Sequence, residues 1–328
     1  SYLGNPVVWV VYGAIFVYYI AATLFPIDKI IGKIYPIFGA ILLLSAVGVG
    51  FGLFFKGYQL DNLSMSNWMG THPQGIPILP IFFVTVACGI VSGFHSTQAT
   101  LIARSVTSER QGRGIFYNSM ILEGLIAMIW AAAAMGMYNK GIDNSLVGTI
   151  SVVGLVARDL LGNFGGIIAV LGIIVLPITS GDTALRSMRL ILAEYFHLDQ
   201  TVKKNRLSIS IAIFVAVAAI LLFAKSNDAG FNVLWRYFAW SNQTVATFAF
   251  AMISVYLIEK NKNCLISLLP GMFYAFIVTT YIVNAKIGFN LSYNISYIIG
   301  CIGSLAYCTA IIKYGNARKK SLQINSNL

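Results

Sequence analysis

Residues 89–98 read GIVSGFHSTQ in the middle of an apolar run. Ser92, Gly93, His95, Ser96, Thr97 and Gln98 put hydroxyls, an amide and an imidazole where their neighbours are Val, Ile and Ala. An unpaired polar group in hydrocarbon is costly, and each glycine weakens a helix by about 1 kcal/mol. Such a cluster has two readings. It borders a wet cavity, where an interrupted helix offers free backbone N–H and C=O groups to a polar solute, or it is hydrogen-bond glue between helices. The density of polar and flexible positions favours the solute site, and His95 adds a group able to exchange a proton near neutral pH.

Three further constellations carry polar chemistry. Glu123 lies inside FYNSMILEGLIAMIWAAAAM on a face shared with Ser119, Ala127 and Ala134; it is either a proton-carrying or gating carboxylate or a protonated Glu buried in a helix contact. In LPITSGDTALR, Pro177 removes a backbone donor, Gly181 permits a break, and Asp182 can cap the next helix or pair with Arg186 at i,i+4. The oxygens of Thr179, Ser180, Asp182 and Thr183 equally suit an inner gate or ion site. In LWRYFAWSNQT, Arg236 snorkels to the interface, whereas the Asn242 and Gln243 amides need a partner helix or a solute. The substrate-binding candidates are therefore Ser92, Gly93, His95, Thr97, Gln98, Asn242 and Gln243. Those for proton coupling or gating are His95, Glu123, Ser180, Asp182 and Arg186. No HExxH, GxSxG or pair of buried aspartates points to an enzyme, and Cys88, Cys264, Cys301 and Cys308 have neither zinc nor disulfide spacing.

What positions these residues is a membrane. The chain is 58% hydrophobic and 10% charged, against about a quarter charged in ordinary soluble domains. Nine apolar runs predict membrane-crossing helices at 6–25, 34–55, 76–103 (interrupted), 115–137, 164–180, 207–224, 237–258, 264–283 and 293–312. The expected class is all-α: a polytopic membrane helix bundle of about nine transmembrane helices, at least one of them discontinuous, in a single transmembrane domain over 1–328. An interfacial helix is expected within 138–163 and another over 182–197, with a cytoplasmic tail at 313–328. In VGVGFG, Gly48 and Gly52 form a close-packing step. The net charge of +11 does not imply nucleic acid, because most Lys and Arg fall in alternate connections and the tail. Those connections are assigned to the cytoplasm. The chain is then expected to start outside and end inside, with helices missing upstream.

Together the motifs ACGIVSGFHSTQATLIAR, FYNSMILEGLIAMIWAAAAM, VLPITSGDTALRSMRLILAE and LWRYFAWSNQT, with FPIDKIIGKIYPIFGA and HPQGIPILPIFF, resemble the carbon starvation protein A (CstA) family across nearly all 328 residues. The resemblance implies a bacterial inner-membrane transporter of peptides or pyruvate, built on five-helix inverted repeats, in which the pyruvate members are proton symporters. It places Ser92, His95, Thr97, Gln98, Glu123, Ser180, Asp182 and Asn242 on motif positions of the family. The implied partners are a small carboxylate-bearing solute and the lipid bilayer, with no cofactor beyond a coupling proton or other monovalent cation. Two departures stand out: the family begins with further helices, and its motif reads closer to FHATQSPMMAR, so Ser96 and Ala99 differ in polarity. A nutrient sensor that binds without transporting is the competing reading.

Overall fold

The computed structural model describes residues 6–24, 28–62, 64, 75–86, 91–141, 149–226 and 230–326. Pro26, Trp68, His72 and Cys88 lie outside the described residues. Among the described residues ten α-helices follow in chain order: α1 Pro6–Leu24, α2 Asp28–Phe55, α3 Ile78–Thr85, α4 Gly93–Ala103, α5 Ser119–Asn139, α6 Thr149–Tyr195, α7 Lys203–Ser226, α8 Gly230–Glu259, α9 Leu265–Asn284 and α10 Tyr293–Ser326. A 3₁₀ turn, Glu109–Gln111, and a π turn, Arg113–Asn118, lead into α5. There is no strand among the described residues. Among the described residues seven segments are long and apolar enough to cross a membrane: Pro36–Phe55, Glu109–Asn139, Val152–Gly172, Lys203–Ala224, Gly230–Glu259, Leu265–Asn284 and Tyr293–Ile324. Large apolar side chains such as Phe54, Phe248, Met252 and Ile302 point outward and exposed, as lipid-facing residues do and as a soluble monomer avoids on this scale. The chain is a multi-pass membrane protein.

The chain divides into two compact units, Ser1–Asn62 with Arg104–Ser226, and Leu63–Ala103 with Asn227–Leu328. In the first unit α2 packs on α5 and α6 around Val49, Leu53, Tyr58, Ala133, Met137, Val152, Val156 and Leu160. The glycine step at Gly48 and Gly52 supplies the room: Cβ atoms there would stand 2.8 Å from Leu161 Cδ2 and 3.1 Å from Leu160 Cβ.

Helix α6 departs from expectation. Gly162 has φ 71° and ψ −176°, a conformation essentially restricted to glycine. A Cβ on Gly154 would lie 3.9 Å from Val170, although sixteen residues of straight helix would span about 24 Å. The chain therefore doubles back at Gly162, and the segment Val152–Gly172 is two packed arms rather than one crossing. The second arm, 163–195, contains the expected span 164–180 and continues without interruption through 182–195. The break expected at Ser180-Gly181 is absent, and Asp182 sits within a helix instead of capping one. Gly181 serves packing instead: a Cβ there would collide with the Tyr19 hydroxyl.

In the second unit the run 76–103 is discontinuous, as its polar centre predicts. Helix α3 ends at Thr85 with Val86 as its cap, residues 91–92 are non-helical, and α4 begins at Gly93. Helix α3 packs against α8 and α9, with Val84, Ala239, Ile277 and Tyr281 buried between them, and α4 packs against α8. Helices α8, α9 and α10 complete the unit. Residues 313–326 continue α10 as helix.

Candidate functional site

Breaking a helix creates two new ends, one with unbonded N–H groups and one with unbonded carbonyls. Both ends of this break are met by adjacent amides of α8. At the start of α4, Asn242 Oδ1 accepts a hydrogen bond from the Phe94 N–H at 3.0 Å and another from the Ser92 hydroxyl at 3.1 Å. This is a helix N-cap whose acceptor comes from another helix instead of the preceding residue. At the end of α3, Gln243 Nε2 donates to the Phe83 carbonyl at 3.1 Å. Asn242 and Gln243 are both buried, Gln243 completely. Gly93 makes the approach feasible, because a Cβ on it would run into the Asn242 carbonyl oxygen and Val245.

The rest of the polar cluster lies on α4. Ser96 Oγ donates to the Gly93 carbonyl at 2.7 Å and Thr97 Oγ1 to the Phe94 carbonyl at 2.8 Å. Their protons are thus used within the helix, and toward any neighbour these oxygens act as acceptors. His95 is half-buried with its ring edge-on to Phe94, and Gln98 is buried. Farther from the break, the Tyr297 hydroxyl donates to the Leu79 carbonyl at 2.8 Å, where α3 is locally non-helical. Trp240 Nε1 reaches the Val278 carbonyl at 3.0 Å. The structure thus brings Ser92, Gly93, Asn242 and Gln243 to one place, with His95, Thr97 and Gln98 along the first turns of α4.

The remaining candidates belong to the first unit. Arg186 Nη2 pairs with Asp182 Oδ2 at 3.2 Å, the expected i,i+4 spacing, and Asp182 is buried. Ser180 and Glu123 are half-buried on α6 and α5. A second cluster in this unit has no counterpart among the expected sites. Asp159, three residues before the reversal at Gly162, accepts a hydrogen bond from the Tyr58 hydroxyl and pairs with Lys140 at 3.4 Å. Its backbone carbonyl accepts from Lys56, and Lys140 also lies 3.8 Å from the Tyr58 ring centre. Lys56 and Tyr58 follow α2, Lys140 follows α5 and Asp159 lies on α6, and no spacing rule unites them. Only the reversal of α6 brings Asp159 to the ends of α2 and α5.

The model of the family described as carbon starvation protein CstA matches residues 4–153 and 147–282. The chain belongs to the CstA family. Among its relatives, an uncharacterized membrane protein of Haemophilus influenzae is 43% identical over 38% of this chain and 38% of its own length. A pyruvate/proton symporter of Escherichia coli, BtsT, is 32% identical over 27% of this chain and 13% of its own. A peptide transporter CstA of Helicobacter pylori is 32% identical over 20% and 10%. The chain therefore spans less than two fifths of the first of these relatives and about a tenth of each of the two named transporters. No solved structure gives a significant match.

Proposed function

We propose that the protein is a secondary transporter that imports a small carboxylate-bearing nutrient, pyruvate or a short peptide, across the bacterial inner membrane together with protons. The observation that carries this reading is the interrupted helix whose two ends are held open by consecutive amides of α8. An apolar bundle keeps such a break where backbone dipoles are to meet a polar guest. The start of α4 is the positive end of a helix dipole and suits a carboxylate. His95, Thr97 and Gln98 follow directly on that helix, and Ser92 and Gly93 precede it. Asn242 is then a positioning residue, since its oxygen fixes where α4 begins. Two family relatives are named for peptides and for pyruvate with protons, which supports both solute classes and the coupling. Glu123 and the Asp182–Arg186 pair in the first unit are the proton-carrying or gating candidates. The start of the chain lies outside and its end in the cytoplasm.

The test is flux into liposomes containing the full-length protein, with labelled pyruvate and labelled dipeptides offered separately under an inward proton gradient. Saturable uptake of one class, accelerated by the gradient and reduced at least tenfold by His95→Ala in folded protein, is the expected result. Binding of solute without flux would replace the transporter by a sensor, and flux indifferent to the gradient would remove the proton.

A further inference from the structure

One atom at the break is left without a partner. The Gln243 side chain is completely buried, and its orientation is set because Nε2 donates to the Phe83 carbonyl. That leaves Oε1 as a pure acceptor, and no donor among the described residues reaches it. A buried amide oxygen without a donor is destabilising, and its persistence at a specified position calls for a bound group. The surroundings define the sign of that group. Oε1 sits beside the carboxyl-terminal end of α3, regular from Pro80 to Thr85, whose last carbonyls carry the negative pole. Its other polar neighbour, the Phe83 carbonyl, is also an acceptor. Ala239 and Ala246, one helical turn to either side of Gln243, are buried small residues that keep bulky side chains off this face. Val84, Ile277 and Tyr281 pack with Ala239 and keep the junction of α3, α8 and α9 apolar beyond these oxygens.

We infer that Gln243 Oε1 is a ligand of a small monovalent cation bound where α3 ends, a site distinct from the start of α4. Neutral oxygens suit a single positive charge; calcium and magnesium sites rely on carboxylates. The two ends of the break then have opposite tasks: α4 offers donors to an anion and α3 with Gln243 offers acceptors to a cation. The inference goes beyond the choice of transported solute and does not depend on it.

Equilibrium binding of ²²Na⁺ to the purified full-length protein in detergent tests this without any flux measurement, with lithium and potassium as competitors and N-methylglucamine as the inert control. Saturable binding of about one ion per chain is expected, with a matching rise in melting temperature. Gln243→Met should weaken it at least tenfold. Because that variant also frees the Phe83 carbonyl, Gln243→Glu is the companion: it keeps an oxygen at the site and should retain binding. Absence of saturable binding to the wild type by any of the three ions would assign the oxygen to a water molecule and overturn the proposal. Unchanged affinity in folded Gln243→Met would overturn the location. Transport that persists without cation binding defeats this inference alone and leaves the transporter reading intact.

Discussion

Asn242 shows how one side chain can carry a structural break. Its oxygen replaces the local cap that α4 lacks, and Gly93 grants the close approach. Asn242→Leu should destabilise the fold by about 1 to 2 kcal/mol, the range for losing an N-cap. Faster hydrogen exchange at the Phe94 amide would locate the loss, while Asn242→Asp, which keeps the acceptor, should preserve protection. The sequence makes plain that Asn242 and Gln243 need partners, because amides in an apolar span cannot stay bare. It does not show that the partners are backbone groups more than a hundred residues away, since nothing local encodes that pairing. Outside the membrane-spanning segments, the Asp199 carboxylate is held below its ordinary range by hydrogen bonds from the Thr201 N–H and hydroxyl. A depressed folded-state value means that this turn's contribution is present above the unfolded pKa and is lost as pH falls through the lower, folded one. Thr201→Val removes the hydroxyl and should move the Asp199 titration, followed by carboxyl-carbon NMR, back toward the ordinary value; an unmoved titration would show that the backbone bond alone sets it.

At the level of elements, glycine is the residue whose two uses the sequence does not distinguish. Gly93 and Gly181 both follow a serine in a polar stretch and both read as breaks. Only Gly93 stands at one; Gly181 stays helical and makes room for Tyr19. The actual second interruption, Gly162, lies in a stretch that reads as the end of a surface helix, because its partner contacts, Gly154 with Val170, exist only after the chain has turned. Apolar length and period are local properties, so the nine runs contain the helices expected of them, with the expected interruption at 76–103. The run at 164–180 becomes one arm of a hairpin because reversal depends on a single backbone angle. Gly162→Ala must adopt a positive φ that a side chain resists, at a cost of about 1 to 3 kcal/mol. Spin labels at 154 and 170 should report close approach in the parent and a longer, broader distance distribution in the variant. The Asp159 cluster joins the same reversal to the ends of α2 and α5, but Lys140 and Asp159 are each 42% exposed. Lys140→Met alone should therefore cost no more than about 1 kcal/mol.

For the whole molecule, the decisive question is which ends share a side of the membrane, and each unit answers it by its own contacts. In the first unit the ends of α2 and α5 meet at Asp159 through Lys56, Tyr58 and Lys140, so the connections that follow those helices open on one face. In the proposed orientation both connections lie outside, where Lys and Arg are fewer. In the second unit Arg318 on α10 pairs with Glu259 at the end of α8 at 2.5 Å. The turn between α8 and α9 therefore shares a face with the far end of α10, opposite the turn between α9 and α10. In the proposed orientation the first of these faces is the cytoplasmic one. A membrane-impermeant maleimide applied to intact cells should therefore label cysteines placed at Lys140 and Lys286 in a cysteine-free chain. Cysteines at Lys203 and Lys260 should react only after permeabilisation. All four positions are exposed, so a silent site reports sidedness rather than burial. The reverse pattern would invert the protein in the membrane and turn the proposed importer's outer opening toward the cytoplasm, while leaving every contact within the two units as it is.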